Sequence, residues 1–386
     1  MSMLQVYDQN HDLLGWISSG TDYKDLHVTS QTASGDRTLE LVLLADARVG
    51  VDCEYYIRSE RQEYVVKSTA EISGGGKTIT AQLNLEDLQG TTWQNFNLSD
   101  TTVRAAATAA LTGTGWSVDD YSTTKTRNVT SSLKTALGVL DDIRSAFLVE
   151  MYFDTITKTV YVYDQRGAYR GAYFMTGLNL KKLSRKTTSY DFATVIEPYG
   201  ADGLDIASVN NGSKRLSNHN WSQKRVCLVY QDTNYTSAQA LKDDMTLYLA
   251  DLAKLRRSYA VEILDLAKLS EKYDILEYEL GDTIELIDKN TRTRERQRIV
   301  KLAEYPDDPE RNTCEISNTV LTWEELQARA QKTQKLVEQT ITTDGKISVG
   351  NILQFERGEV VTDGDIMALS AYVTKTDARL AALEGG

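Results

Sequence analysis

Short runs of alternating or aliphatic residues govern what the first hundred residues can fold into. Such runs at 14–17, 39–44, 53–57, 64–66 and 78–85 place apolar side chains on one face of an extended backbone and predict strands. Between them, Ser34-Gly35-Asp36 and Gly74-Gly75-Gly76 can supply the positive φ angles that tight connections require. A small antiparallel sheet or barrel follows from that pattern.

The period then changes. Asp100 or Thr101 is placed to cap a helix whose apolar positions Val103, Ala106, Ala107, Ala110 and Leu111 recur at three and four residues and stop at Gly113. Ser131 precedes a second stripe, Leu133, Ala136, Leu137, Leu140, Ile143 and Phe147, which needs a sheet or another helix to cover it. Residues 150–153 and 159–163 alternate about a turn at 154–158 and predict the hairpin that does so. Further on, a strand at 193–196 is ended by Pro198 and Gly200. A helix over 237–257 carries Leu241, Met245, Tyr248, Leu249, Leu252 and Leu255 on one face. Strands at 259–264, 283–287 and 298–302 then form a second β unit, with a turn at 288–292 and closure by Pro306 and Pro309.

Beyond Leu321 the pattern thins, and residues 324–341 have helical propensity but are mostly polar. Near the end, Ile366, Leu369, Val373, Thr376, Leu380 and Leu383 alternate spacings of three and four, the seam of a heptad coiled coil. Asp363 and Asp365 sit where anions favour a helix start. So short a coil is weakly stable alone, so the seam reads as an oligomerisation element helped by contacts elsewhere. An amphipathic helix folded back onto its own chain is the alternative.

The expected fold class is therefore α+β, β-rich and multidomain, with two β-barrel-like units, helical insertions and a C-terminal helix. The expected divisions are a β-barrel-like domain at 1–98, an α+β domain at 99–187, an insertion with a long helix at 188–257, a second β-barrel-like domain at 258–322, and a linker with a coiled-coil helix at 323–386.

Composition narrows function mainly by exclusion. The 43 Lys and Arg against 55 Asp and Glu leave a net charge of −12, which argues against a protein that coats nucleic acid, since phosphate binding draws on clustered cations. The basic run RTRERQR at 292–298 reads as a solvated hairpin face. Cys53, Cys227 and Cys314 are odd in number and far apart, which suits thiols in a reducing compartment, and no CxxC pair offers a thiolate zinc site. The first residues lack the basic start and apolar segment of a secretory signal. No apolar run approaches the ~20 residues of a membrane-spanning helix, so a soluble protein is expected.

Catalytic motifs fail one by one. GGGKT lacks the glycine a phosphate-binding loop needs at position 71, which is Glu71. Asp8, Asn10 and Asp12 resemble the start of a calcium loop, but Leu13 and Ser19 stand where Gly and a bidentate Glu belong, so a β-turn is the better account. His11, His27 and His219 form no HExxH and no pair at helical spacing. Cys227 lies in the apolar run 226–230 and reads as an inert buried thiol. Paired carboxylates for glycoside hydrolysis have no specificity in a chain this rich in acids. The 21 Tyr and five Trp fit strand cores and subunit interfaces better than a sugar groove.

The order of N-terminal strands, the 133–147 helix with its hairpin, DFATVIEPYGADGL at 191–204, the 237–257 helix, YDILEYELGDTIELID at 273–288 and RIVKLAEYPDDPE at 298–310 together resemble the prophage endopeptidase tail family. Its members are the tail-associated lysin or tip hub proteins of siphophages of Gram-positive bacteria, and the resemblance covers roughly residues 1–322. It implies a homotrimeric ring at the end of the tail tube, with interleaved domains and two β-barrel-like units per subunit in a pseudo-sixfold collar. That collar adapts a sixfold tube to a threefold tip for host attachment and DNA passage. Implied partners are the distal tail protein, other tail-tip proteins and the host cell surface, and the implied location is the virion tail tip after assembly in the bacterial cytoplasm.

In this family a lytic domain, when present, is attached beyond the hub portion. With Gly386 following soon after the heptads, the expectation is a structural hub fragment, or a naturally short hub, with no catalytic residue, cofactor or metal. Pro198, Tyr199, Gly200, Gly281 and Asp282 match the family pattern and are expected to fix turns. The heptad residues Ile366, Leu369, Val373, Thr376, Leu380 and Leu383 are expected to hold three chains together. A peptidoglycan hydrolase working through carboxylates or Cys227, and a saccharide receptor-binding module, are the competing readings.

Overall fold

The structure, a computed structural model, describes residues 2–318 except 33, 74, 190, 191 and 233. The chain divides into two units, Met1–Trp323 and Glu324–Gly386. The polar stretch 324–341 and the heptad residues from Ile366 to Leu383 lie outside the described residues.

Strand periodicity builds most of the first unit. In the strand Arg37–Leu44 the alternation RTLELVLL buries Leu39, Leu41 and Leu43 on one face, and Thr283–Asp288 does the same with Ile284, Leu286 and Asp288. The sheet that results has thirteen strands and curls. Its path runs Leu180–Thr188, Arg256–Ile263, Thr313–Ser317, Thr293–Glu304, Tyr23–Gln31, Arg37–Leu44, Gly76–Leu83, Glu63–Glu71, Tyr56–Arg58, Met3–Tyr7 and Leu13–Ser18. Thr283–Asp288 branches from Thr293–Glu304 and carries Tyr169–Met175 in parallel on its far side.

The strand Thr293–Glu304 explains how early and late segments share one sheet. Its first half pairs with Thr283–Asp288, while Lys301–Glu304 pair with Val28–Gln31 of the strand Tyr23–Gln31. The change of partner falls at a register shift between Ile299 and Lys301, where an extra residue bends a strand and increases its twist. There the Val300 carbonyl accepts the Thr32 N–H at 3.0 Å, so the bulge leaves that carbonyl paired.

Helices are few and lie outside the sheet. Ala136–Phe147 buries Ala136, Leu140, Ile143 and Phe147 of its predicted stripe, leaves Leu137 half-buried and adds Val139 and Ala146; full burial of a large aliphatic or aromatic side chain is worth about 1.5–3 kcal/mol. It begins later than its stripe predicts: Thr135 caps it by accepting the Gly138 N–H, and Leu133 sits in the strand Thr126–Thr135 at φ +53°, 85% exposed. Val103–Ala110 buries the predicted residues, but its cap is Thr102, whose hydroxyl oxygen accepts the Ala105 N–H, and not Asp100 or Thr101. The helix expected over 237–257 runs only Ala238–Leu252: Ser237 is its cap, not its first turn, and it ends before Arg256 and Arg257, which enter a strand.

Three hydrophobic cores result. The first joins the N-terminal strands to both helices and to the hairpin Glu150–Asp154 and Thr159–Tyr163. The second lies within the strands between residues 169 and 317. The third is small, with Ala238–Leu252 covering Val195–Tyr199, which pairs with Leu216–Ser217 and Cys227–Gln231.

Candidate functional site

Two buried arginines tie the second and third cores to the first. Arg298, 5% exposed, donates from Nη1 and Nη2 to the two oxygens of Glu150 at 2.6 and 2.7 Å, a bidentate fork. Its remaining donors reach the carbonyls of Gly281 from Nε at 3.0 Å and of Arg166 from Nη2 at 2.7 Å. Glu150 Oε2 also accepts the Arg166 N–H at 2.8 Å. A buried ion pair offsets its desolvation only when its polar atoms are paired, and here every guanidinium nitrogen and both carboxylate oxygens are.

Gly281 and Asp282 stand at this junction. Gly281 has φ +95° and Gly167 has φ +91°, and a Cβ on Gly167 would lie 2.2 Å from the Gly281 carbonyl carbon, so two glycine backbones cross in contact. Asp282, 2% exposed, accepts the Ala168 N–H at 2.8 Å and the Glu279 N–H at 3.0 Å. The family-pattern residues Pro198, Tyr199 and Gly200 lie apart from it in the third core's sheet. Pro198 is buried within the strand Val195–Tyr199, opposite Tyr230, and does not end it. Gly200 has an ordinary φ of −98°, and its need for glycine is close packing: a Cβ would come 2.5 Å from the Tyr235 carbonyl oxygen.

The second tie is Arg127 with Asp244. Arg127 Nη2 donates to Asp244 Oδ2 at 2.5 Å, both side chains being buried, and the Tyr235 hydroxyl donates to the same carboxylate at 2.9 Å. The guanidinium also lies 4.5 Å from the Tyr235 ring centre. Burial, reinforced by Asp244, pushes the Tyr235 hydroxyl pKa well up and keeps it a donor.

Sequence reasoning missed both ties. The run 292–298 behaves as a solvated face at Arg294, 72% exposed and paired with Glu285, but not at Gln297 and Arg298, which are buried. The available signal was the apolar text that follows directly, IVKLA at 299–303. Asp244 sits on the apolar face of a predicted helix, a position that demands a partner; Glu150 lies on the strand face opposite Met151 and Phe153 and gave no such signal.

Cys227 also differs from expectation. The strand Cys227–Gln231 is present, but it turns Leu228 and Tyr230 toward the third core and leaves Cys227 exposed with Val229. Cys53 is exposed and Cys314 buried, its thiol pKa raised by burial. Iodoacetamide should therefore add two carbamidomethyl groups to the native protein and three in denaturant, read by intact mass. A native count of three would overturn the packing around Cys314.

Asp8 behaves as a turn residue, accepting the N–H groups of Asn10 and Asp12, each at 2.9 Å. Among the described residues no group of three or more His, Cys, Asp or Glu could hold a metal ion. None of their helices is long and apolar enough to cross a membrane.

This architecture is the fold of known phage tail proteins. The crystal structure of prophage tail protein gp18 from Listeria monocytogenes EGD-e aligns over 87% of this chain and 100% of its own, with a TM-score of 0.63 at 16% identity. A tail protein from Neisseria meningitidis MC58 aligns over 84% and 99%, with a TM-score of 0.58 at 10% identity. The 43 kDa tail protein of prophage MuSo2 from Shewanella oneidensis aligns over 82% and 97%, with the same score and identity. Residues 168–327 match the model of the prophage endopeptidase tail family, so the resemblance read from the sequence is shown over that segment, which includes Gly281, Asp282 and Arg298. No curated protein matches the sequence.

Proposed function

We propose that this chain is a structural hub of a phage tail tip, three copies closing into a ring that adapts the tail tube to the tip and lets DNA pass. The observation that carries the reading is the tail-protein fold, which aligns over 87% of this chain with a TM-score of 0.63. The family match over 168–327 supports it. The reading takes the curled sheet as two β-barrel-like units, with divisions at 98, 187, 257 and 322, and Ile366 to Leu383 as a trimer seam. It assigns the chain no chemistry. Its partners are the distal tail protein and other tip proteins, and its place is the virion tail tip.

Light scattering of the full chain should give the mass of three copies, and electron-microscopic class averages a threefold ring. A monomer at micromolar concentration with no ring would sink the proposal. Deleting residues 363–386 should raise the concentration at which trimers dissociate by about tenfold or more, given coiled-coil contacts worth upwards of 1.4 kcal/mol. An unchanged trimer down to nanomolar concentration would assign assembly to the ring faces alone.

A further inference from the structure

A cavity of about 1180 Å³ is lined in large part by strands of the large sheet, and its charges are unevenly matched. Four arginines line it, Arg37, Arg58, Arg61 and Arg166, and none of them has an ion-pair partner among the described residues. The acids of the same cavity are mostly engaged. Glu304 pairs with Lys268 at 3.0 Å, Glu279 with Arg170 at 3.7 Å, and Asp307 accepts both the N–H and the hydroxyl of Ser2. In a chain with twelve excess negative charges, four guanidiniums without a carboxylate partner in one cavity are not a consequence of composition.

Two of them are held in place. The guanidinium carbons of Arg37 and Arg166 lie 4.7 and 4.3 Å from the centre of the Tyr152 ring, so the cations cannot be farther apart than those two distances together. Gln62, fully buried, donates to the Tyr152 hydroxyl at 2.9 Å and to the Phe153 carbonyl at 3.0 Å, which fixes the ring. Arg166 is clamped through its own backbone, its N–H on Glu150 and its carbonyl on Arg298. Its guanidinium is partly desolvated and repelled by Arg37, both of which lower its pKa. An aromatic face compensates part of that cost, and an anion would compensate the rest.

We propose that Arg37 and Arg166 over Tyr152 form the head of a carboxylate-binding site that seats an acidic, apolar segment of a partner protein. A polyanion suits it poorly, because Glu60, Glu279, Glu304 and Asp307 line the same cavity and would repel a string of phosphates. Met3 and Trp16, both exposed, line the same cavity and suit aliphatic side chains beside a localised carboxylate. The site is complete within one chain, so it stands or falls independently of ring formation.

Isothermal titration of the full chain with N-acetyl-Leu-Glu-Leu-Glu-Leu-amide should show millimolar or tighter binding, and the peptide with Gln for Glu should show none. Arg37→Gln and Arg166→Gln should each weaken binding by about tenfold or more, the loss expected for a charge-assisted hydrogen bond. Arg37→Gln breaks none of the hydrogen bonds to Glu150 or Arg298 and decides the matter if Arg166→Gln does not fold. Absence of binding, equal binding of the Gln peptide, or affinity unchanged in Arg37→Gln would overturn the proposal. Tighter binding of tripolyphosphate than of the Glu peptide would overturn it in favour of a phosphate ligand.

Discussion

Arg298→Met lowers stability by about 3–5 kcal/mol, the cost expected when one partner of a buried ion pair is removed and the other remains charged and unpaired. The loss has three parts: a Glu150 carboxylate without its fork, and the carbonyls of Gly281 and Arg166 each without a donor. Glu150→Gln keeps the shape and one acceptor, so it costs less, about 1.5–3 kcal/mol. The double variant Glu150→Leu with Arg298→Met should recover part of the loss, because no buried charge is left, yet stay below the parent because both carbonyls remain unpaired. Urea denaturation of the four proteins, closed as a double-mutant cycle, gives the coupling directly. An Arg298→Met variant within about 0.5 kcal/mol of the parent, the scatter of ordinary surface substitutions, would show that the pair does not hold the cores together.

Gly167→Ala should be nearly as damaging, and for a reason separable from its backbone angle. Gly167 and Gly177 share positive φ, +91° and +83°, so alanine strains both by about 1 kcal/mol. Only at Gly167 would the new Cβ strike backbone, 2.2 Å from the Gly281 carbonyl carbon and 2.6 Å from the Asp282 nitrogen; at Gly177 nothing lies within 4 Å. Two backbone segments must then separate, which also draws Arg166 and Gly281 away from Arg298, for a total of about 3–5 kcal/mol. Thermal melts of the two alanine variants make the comparison. Equal melting temperatures would mean that the crossing is not tight.

The small lobe should respond separately. Asp244→Asn leaves Arg127 buried without its counter-charge and weakens the link between Ala238–Leu252 and the strand Thr126–Thr135. Hydrogen exchange should then accelerate in the helix while the strands around Ile284, Leu286 and Ile316 keep their protection, since these belong to the second core. Uniform acceleration across all three cores would argue that they unfold as one body.

The local elements were legible where a few neighbouring residues decide them. Most buried residues of Val103–Ala110 and Ala136–Phe147, and the hairpin about 154–158, follow from spacing. Errors gather at boundaries, as at Leu133, where a helical spacing continues backwards into a strand that pairs with Thr92–Thr102. Cys227 shows a different failure: the strand was legible, but which face met a core depended on a helix that begins eleven residues later.

By itself, then, the sequence determined the strand and helix periods and the absence of familiar catalytic spacings, because each is written within a few residues of chain. Only the tertiary structure decided that early and late strands share one sheet and that RTRERQR ends in a buried cation. It also decided that Arg298 and Glu150 meet across 148 residues of sequence. The physical reason is that a buried charge is specified by its partner, and strand order by its neighbours. Neither is near in sequence: closing a long loop costs entropy that grows only slowly with length, so nothing confines such contacts to nearby residues.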